Sequence, residues 1–296
     1  VVRKREDGYH EVRMVMQTIH LFDRLIITRG PGRSGSHSYG IRSGAPAVKS
    51  AGHTGRITVS TNLSFLPVNE NNLAYQAAEM LMKEFGIQEG VKISLDKHIP
   101  VAAGMAGGSA NAAAVLYGMN RMFALGLTQK ELMERGVKLG ADVPYCIMRG
   151  TVLAEGIGEE LTPLPAMPRC YILVAKPPVS VSTKLVYEKL DSHEIEVHPD
   201  IDGIMEGLKG HNLLKVSACL GNVLEKVTVE AYPVIEQIKN TMKKNGALNA
   251  LMSGSGPTVF GLFEDKKAAK KAAFRIREQQ LARQTYVTGV HNTRRR

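Results

Sequence analysis

The feature that most constrains this chain is a glycine-rich turn at residues 100–113, PVAAGMAGGSANAA. The turn follows a strand-like run at 91–96 and leads into a helical pattern at 110–123. Glycine lets the backbone adopt left-handed conformations and lets a ligand approach closely. At the start of a helix, such a turn directs unpaired N–H groups and the positive end of the helix dipole to one point, which is typical of a phosphate site. The residues fit equally well a tight connector in which Ser109 caps the helix.

Three well-known nucleotide signatures do not fit this turn. A Walker loop ends in Gly-Lys-Ser/Thr, but no lysine lies between Pro100 and Arg121. The glycines of the turn are not spaced as Gly-x-Gly-x-x-Gly, the dinucleotide fingerprint. The protein-kinase triplets His-Arg-Asp and Asp-Phe-Gly occur nowhere in the chain. A phosphate site here would belong to another class of protein.

The length and composition are typical of a globular protein with one large or two ordinary domains. A chain of 296 residues can bury a sizeable core. No apolar run approaches the roughly 20 residues that span a bilayer. Cys146, Cys170 and Cys219 are scattered, which favours reduced thiols in the cytoplasm over disulfides or a metal site. We therefore expect a cytoplasmic protein that does not contact a membrane.

The formal charge of +10 is concentrated in two places. The segment 29–56 is rich in Gly, Ser and Arg and has no acidic residue, and the tail 294–296 is Arg-Arg-Arg. Trp is absent, and aromatic residues are not interleaved with basic ones as in proteins that stack bases. We predict a flexible surface insert at 29–56 and no nucleic-acid partner. The positive charge is also compatible with a small anionic substrate, because a positive field attracts such a molecule to its binding cleft. An RNA-associated protein that depends on the insert stays as an alternative.

Hydrophobic periodicity predicts strands and helices along the rest of the chain. Strands are expected at 12–16, 24–28, 56–60, 91–96, 150–154, 171–177 and 286–290. Helices are expected at 72–82, 110–123, 128–136, 212–226, 233–244 and 266–280, and another begins in the segment 180–187. A second glycine turn, at 251–261, should join two further strands.

Several polar residues near these elements have both a structural and a functional interpretation. Asn72 and Asp142 each precede a predicted helix and could cap it. His10 lies at a hairpin entry, Lys97 at a strand end, and Tyr187 on a helix whose core face it could join. The residue types alone leave the two interpretations open.

Three segments together resemble the signature motifs of the GHMP small-molecule kinases. The turn is similar to their loop Pro-x-x-x-Gly-Leu-Gly-Gly-Ser-Ser-Ala, with Met105 and Ala106 in place of Leu and Gly. Gly-Ala-Asp-Val-Pro at 140–144 and Ser-Gly-Ser-Gly-Pro-Thr at 253–258 follow in the family's order. Together the three motifs are specific, although none of them is specific alone.

A fourth segment resembles one branch of that family. Asp-Gly-Tyr-His at 7–10 is similar to a motif of the kinases whose substrate is a methylerythritol linked to cytidine diphosphate. The resemblance implies an α+β fold with an N-terminal, ribosomal-protein-like α/β ATP-binding domain at 1–160 and a C-terminal, ferredoxin-like domain at 161–296. The active site would lie between the two domains, in a monomer or homodimer.

The resemblance also implies a reaction and its residues. The γ-phosphate of ATP, with Mg²⁺, would pass to the 2-hydroxyl of the cytidine-linked methylerythritol, a step of the non-mevalonate isoprenoid pathway. Asp142 would orient that hydroxyl and accept its proton, and Ser109 would contact phosphate or metal. The implied ATP-binding residues are Pro100, Val101, Ala102, Ala103, Gly104, Met105, Ala106, Gly107, Gly108, Ser109, Ala110, Asn72 and Lys97. The implied substrate-binding residues are Tyr9, His10, Thr183, Tyr187, Ser253 and Gly254.

The start of the chain departs from the family pattern. GHMP kinases normally open with a strand reading Pro-Ala-Lys-x-Asn-Leu, whose lysine assists the catalytic Asp, and nothing like it precedes Val1. We expect a sequence that is incomplete at its N-terminus. If this chain is all there is, we predict weak or absent catalysis and a sheet with an exposed, unpaired edge. A non-catalytic nucleotide-binding protein of the same fold, and another GHMP kinase acting on homoserine or mevalonate-type alcohols, stay as alternatives.

Overall fold

The structure, a computed structural model, describes residues 1–30, 57–193, 195 and 197–293. The predicted insert at 29–56, beyond Gly30, and the arginine tail lie outside the described residues. The first half of the chain contains β1 (Arg3–Lys4), β2 (His10–Glu11), β3 (Met14–Gln17), β4 (Arg24–Gly30), β5 (Ile57–Thr61), α1 (Leu73–Glu84), β6 (Gly90–Asp96), α2 (Gly107–Met122), α3 (Gln129–Val137), α4 (Val143–Met148), β7 (Thr151–Glu155) and β8 (Glu160–Pro163). The second half contains β9 (Tyr171–Lys176), α5 (Thr183–Leu190), α6 (Ile201–Lys209), α7 (Leu213–Ala218), α8 (Glu225–Ala231), α9 (Val234–Lys244), β10 (Asn249–Met252), β11 (Val259–Phe263), α10 (Lys266–Glu278) and β12 (Gln284–Gly289).

The first half is built on two three-stranded sheets. In one of them, β6 lies between β4, which is antiparallel to it, and β5, which is parallel. Helices α1 and α2 bury their apolar faces against this sheet, in a core that includes Leu81, Ile93 and Leu116. In the other sheet, β7 lies between β3 and β8, so the pairing continues across the predicted domain boundary at 160/161.

The second half has the ferredoxin-like topology that the family resemblance implies. Its sheet is antiparallel, with strand order β10-β11-β9-β12, and α9 and α10 complete a βαββαβ unit. The apolar run of β9 divides between two cores: Leu173 and Ala175 face the helices α9 and α10, while Ile172 and Val174 face α6, α7 and the first half of the chain. A strand that is buried on both faces is apolar without alternation, as this one is. The α+β fold class is confirmed.

Two local predictions are wrong. The helix expected at 212–226 is two helices, because α7 ends at Ala218 and α8 begins at Glu225. Between them, the Asn222 amide donates to the carbonyls of Met252 and Gly254 and draws the chain toward the second glycine turn. The other error concerns Ser109, which does not cap α2: the cap position is Ala106, and Ser109 lies inside the first turn.

The two halves are joined by a shared apolar core. Leu153 of β7 and Met167 pack with Ile172 of β9 and with α6 and α7. The segments that carry the sequence motifs end close to this junction, so the junction defines where a site can form.

Candidate active site

The glycine turn lies at the N-terminus of α2 in a strained backbone conformation. Ala102 and Ala106 have φ values of 49° and 50°, and Gly104 has a φ of 66°. A left-handed alanine costs on the order of 1–2 kcal/mol, so the surroundings must hold the turn in this shape. The family motif has Gly where this chain has Ala106, which agrees with the left-handed backbone there. The N–H groups of the first helical turn that follows have no partner within the helix.

A buried polar cluster holds both ends of the glycine turn. The Asp23 side chain is 1% exposed, and its Oδ1 accepts hydrogen bonds from the backbone N–H groups of His98 and Ile99, at 2.7 and 2.8 Å. Its Oδ2 accepts from Asn111 Nδ2 of α2 at 2.9 Å and forms an ion pair with Lys97 Nζ. Burial alone would raise the pKa of Asp23, but these donors hold the pKa below its ordinary value. The cluster therefore ties the entry of the turn to the helix that leaves it.

Lys97, which the resemblance places on the nucleotide side, belongs to this cluster. Its side chain is 5% exposed, and its ammonium also donates to Asn111 Oδ1 at 2.8 Å. It lies 3.5 Å from the position that a Cβ on Gly107 would occupy. The charge of Lys97 is thus beside the first turn of α2 and is balanced by Asp23.

Asn72 is a helix cap. Its Oδ1 accepts from the N–H of Ala74 at 2.9 Å, and its Nδ2 donates to the carbonyl of Pro67 at 2.7 Å. The next residue, Leu73, lies 3.5 Å from the position of a Cβ on Gly108. The start of α1 is therefore next to the start of α2, so Asn72 lies close to the glycine turn while its amide serves the structure.

Asp142 precedes α4 but does not cap it with its side chain. Helix α4 packs against the glycine turn, where Cys146 Sγ lies 4.0 Å from the carbonyl oxygen of Ala106. Burial raises the pKa of Asp142, and it raises the pKa of the Cys146 thiol to about 12. A half-buried carboxylate without a local structural task is a candidate proton acceptor.

The second glycine turn contacts the first directly. Ser253 Oγ donates to the carbonyl of Gly104 at 2.7 Å, across 149 positions of sequence. A Cβ on Gly104 would collide with the carbonyl oxygen of Ser253, and a Cβ on Gly254 would lie 3.8 Å from the Gly104 carbonyl oxygen. The absence of a side chain at Gly104 lets the two halves of the chain meet here.

The residues expected to bind the cytidine end form a second group. The rings of His10 and Tyr187 have centroids 4.6 Å apart, and His10 Nε2 lies 2.6 Å from Asp191 Oδ1. Thr183 Oγ1 and Ser255 Oγ, from α5 and the second glycine turn, are 2.7 Å apart. Tyr9 is 60% exposed, and neither Tyr9 nor His10 is among the residues that line the cavity described next.

A cavity of about 1510 Å³ lies at the junction of the two halves. Its walls include both glycine turns, Asp142 and helix α5. Burial, with a smaller contribution from the charge of Asp142, raises the pKa of Tyr187, so the aromatic residue and the carboxylate share one environment. The predicted residues in the cavity wall are Gly104, Met105, Ala106, Ala110, Asp142, Thr183, Tyr187, Ser253 and Gly254.

Sequence reasoning missed three residues that shape the site. Asp23, Asn222 and Asp191 hold the first glycine turn, the second glycine turn and His10, respectively. For Asn222 a signal was available, because Gly-Asn at 221–222 is a turn dipeptide that argues against a continuous helix. Asp23 and Asp191 have no such signal, since their partners are distant in sequence.

Among the residues that the structure describes, no group of three or more His, Cys, Asp and Glu side chains could hold a metal ion. No helix within the described ranges is long and apolar enough to cross a membrane.

Comparison with protein families identifies the class. The model of the GHMP kinases N terminal domain matches residues 72–150, and that of the GHMP kinases C terminal domain matches residues 203–280. The two matches cover the first glycine turn, Asp142 and the second glycine turn. The chain belongs to the GHMP kinase family.

Comparison with individual proteins narrows this result. The chain is 52% identical to the 4-diphosphocytidyl-2-C-methyl-D-erythritol kinase of Lachnospira eligens, over 97% of this chain and 92% of that protein. It is 50% identical to the kinase of the same name from Lachnoclostridium phytofermentans, over 97% of this chain and 91% of that protein. A crystal structure of a 4-(cytidine 5'-diphospho)-2C-methyl-D-erythritol kinase superposes with a TM-score of 0.77 at 27% identity, covering 98% of this chain and 94% of that one. Within the GHMP kinases, the chain groups with these kinases.

Proposed function

We propose that this protein transfers the γ-phosphate of ATP to the 2-hydroxyl of 4-diphosphocytidyl-2-C-methyl-D-erythritol. The observation that carries the proposal is that Asp142 and the first glycine turn line one cavity between the two halves. Relatives that bear the name of this activity are 52% and 50% identical over nearly the whole chain, which supports the choice of substrate over homoserine or a mevalonate-type alcohol.

The first glycine turn is the proposed triphosphate site. The backbone N–H groups at residues 104–109 and the N-terminus of α2 would neutralise phosphate oxygens without a lysine in the loop. Pro100 through Ala110 form this site, with Asn72 and Lys97 on its nucleotide side. The contacts of Leu73 with Gly108 and of Lys97 with Gly107 support that placement.

Asp142 is the proposed catalytic residue. In the reaction, the oxygen of the substrate hydroxyl forms a bond to the γ-phosphorus, and the bond from that phosphorus to the bridging oxygen of ADP breaks. The hydroxyl proton passes to the Asp142 carboxylate. Because burial already raises the pKa of this carboxyl, the residue is a better proton acceptor than an exposed Asp. Most of the remaining catalysis in phosphoryl transfer is positioning and charge neutralisation.

Mg²⁺ is the proposed cofactor, carried by the nucleotide. Mg²⁺ in kinases is commonly held by one or two protein oxygens together with substrate phosphates, not by a protein cage. The Ser109 hydroxyl, in the first turn of α2, is an oxygen donor that fits this pattern. When bound, the ion supplies neutralisation of the β- and γ-phosphate charge.

The second group of residues is the proposed cytidine site. Tyr187 and Thr183 of α5 line the cavity on the side of the second glycine turn, whose Ser253 and Gly254 would line the substrate path. His10 packs against Tyr187, and Tyr9 precedes it on the same hairpin. We propose that the aromatic rings contact the base and that His10 forms hydrogen bonds with it.

The remaining proposals concern the context of the enzyme. We place the boundary of the ATP-binding and C-terminal domains at 160/161 and expect a monomer or homodimer in the cytoplasm, with no nucleic-acid partner. All three cysteines are free thiols, in keeping with a reducing compartment.

A kinase assay with a substrate panel tests the proposal. With ATP and Mg²⁺, the protein should convert the cytidyl alcohol to its 2-phosphate, measured by ³¹P NMR, and should leave homoserine and mevalonate unchanged. Asp142→Asn should lower turnover by about 10²–10⁴-fold, the usual contribution of a general base, with the nucleotide still bound. Phosphorylation of another alcohol, or nucleotide binding with no turnover by the unmodified chain, would contradict the proposal.

A further inference from the structure

Helix α5 and the residue that follows it, Asp191, contact the imidazole of His10 at two points. The ring packs against Tyr187 with centroids 4.6 Å apart, and Nε2 lies 2.6 Å from Oδ1 of Asp191. Asp191 follows Tyr187 by one helical turn, and its backbone N–H donates to the Tyr187 carbonyl at 3.1 Å. His10 itself belongs to the N-terminal hairpin, so its orientation is set by a helix of the second half.

Asp191 acts here as a charged acceptor. Its second oxygen, Oδ2, lies 2.6 Å from Lys4 Nζ, and Lys4 is the cross-strand neighbour of His10 in the β1–β2 hairpin. The hydrogen bonds from Lys4 and then from His10 hold the pKa of the Asp191 carboxyl below its usual range. An ionised carboxylate has no hydrogen to donate, so the hydrogen of this bond must be carried by Nε2 of the imidazole.

The position of that hydrogen determines what the other ring nitrogen can recognise. A neutral imidazole has one N–H donor and one acceptor, so a hydrogen on Nε2 leaves Nδ1 as an acceptor. Cytosine presents an amino group, a donor, where uracil-type bases present a carbonyl, an acceptor. An imidazole in this tautomer therefore favours an amino-pyrimidine and disfavours an oxo-pyrimidine.

We infer that Asp191 is a specificity-determining residue that, by fixing the His10 tautomer, makes the enzyme select a cytidine-linked alcohol over its uridine-linked analogue. The inference rests on the proposed function, because it takes the base to lie against His10. Asp191 is a positioning residue in this scheme, since it acts on the substrate only through His10.

Substrate selectivity and the tautomer can both be measured on the full chain. We would determine kcat/KM for the cytidine-linked alcohol and for the same alcohol with uridine, at saturating ATP and Mg²⁺, in the wild type, Asp191→Asn and Asp191→Ala. Both variants should lower the cytidine-over-uridine ratio about tenfold, mainly through a higher KM for the cytidine substrate, because the tautomer is no longer imposed. The KM for ATP should not change.

The matched control is Glu188→Gln, which removes one negative charge from the same helix. Glu188 is half exposed and pairs with Lys184 at 3.8 Å, so both the ratio and the tautomer should stay as in the wild type. ¹⁵N NMR of the His10 ring at pH 8.5, where histidine is ordinarily neutral, should place the hydrogen on Nε2 in the wild type and give mixed tautomers in the Asp191 variants.

The outcomes separate this inference from the proposed function. If both Asp191 variants are active and keep the wild-type cytidine-over-uridine ratio, or if the wild-type His10 carries its hydrogen on Nδ1, the role of Asp191 is overturned and the kinase assignment stays intact. A wild type that does not phosphorylate the cytidine-linked alcohol contradicts the proposed function, and the NMR measurement still decides the tautomer. The wild-type spectrum also tests the inference if the variants do not fold.

Discussion

Two aspartates near the glycine turn have opposite environments. Asp23 is surrounded by donors that outweigh its burial and lower its pKa, whereas burial raises the pKa of Asp142. A buried carboxylate that accepts several hydrogen bonds stabilises the structure. A carboxylate that is desolvated without such hydrogen bonds lowers the stability of the fold but accepts a proton more readily. The environment of Asp23 therefore suits a structural role, and that of Asp142 suits proton transfer.

We predict that Asp142→Asn stabilises the free protein in a pH-dependent way. The folded state raises the pKa of Asp142 above its unfolded value of 3.8, so the folded protein holds this proton more tightly. Stability from this residue is present below pH 3.8 and is lost as the pH rises through the folded pKa. At pH 7 the variant should melt roughly 2 °C above the wild type, and near pH 3.5 the difference should be smaller, as measured by thermal unfolding. A variant that is less stable than the wild type at pH 7 would contradict the proposed environment of Asp142.

A second residue-scale prediction concerns the pair of Asp23 and Lys97. Asp23→Asn leaves the Lys97 charge buried without a counter-charge and should cost about 3 kcal/mol of the free energy of unfolding, measured in urea. The control Glu84→Gln breaks an ion pair with Arg135 that is partly exposed, so it should cost less than about 1 kcal/mol. Equal losses in the two variants would mean that the cluster does not behave as a buried pair.

At the scale of elements, two loops that lie 149 positions apart form one surface. Ser253 and Gly104 connect them through a hydrogen bond, and Asn222 holds the second loop from the α7–α8 connection. The loops approach each other because Gly104 has no side chain. The phosphate site and the wall of the substrate cavity are thus built as one unit.

We predict that Gly104→Ala disturbs the contact between the two glycine turns, in addition to straining the left-handed backbone at residue 104. The control is Gly86→Ala, since Gly86 has a similar φ of 61° but has no atom within 4 Å of a built Cβ, whereas Gly104, with a φ of 66°, would collide with the Ser253 carbonyl. Both variants should lose about 1 kcal/mol of stability from the left-handed backbone. Only Gly104→Ala should also raise the KM for ATP, by at least about tenfold. If the two variants have the same KM for ATP, the contact between the loops does not shape the nucleotide site.

At the scale of the whole molecule, the cavity lies between two halves that share one apolar core. Both glycine turns, Asp142 and α5 contribute to its wall, so a ligand there contacts the first and the second half together. Binding at such a junction should stabilise the entire fold, because it adds contacts to the folded state alone.

The corresponding prediction is a ligand-dependent melting temperature. ATP with Mg²⁺ at about 100 times its Kd should add about 2.7 kcal/mol, which for a chain of this length is roughly 4 °C. Chelation of Mg²⁺ with EDTA should reduce this shift and abolish turnover. An ATP effect that is unchanged by EDTA would contradict the proposed role of the metal.

Local sequence patterns were sufficient to predict the helices and strands whose formation depends on interactions between neighbouring residues. The caps at Asn72 and Thr128 satisfy N–H groups within their own helices, and the apolar run at 172–175 is buried on both faces, so these elements follow from neighbouring residues. The helix wrongly predicted at 212–226 is a mixed case. Gly-Asn at 221–222 is a local signal for a turn there, but the carbonyls that Asn222 binds lie at least 30 positions away in the sequence.

By itself, the sequence determined most of the helices and strands and the motifs that mark the family, because these depend on periodicity and on residues that are close along the chain. The α+β class followed from the resemblance of those motifs to the GHMP kinases. Only the tertiary structure decided that Asp23 balances Lys97, that Ser253 reaches Gly104, and that Asp191 orients His10. These pairs are separated by 74, 149 and 181 positions. Their energies arise from burial and hydrogen bonding between distant segments, which no local pattern encodes.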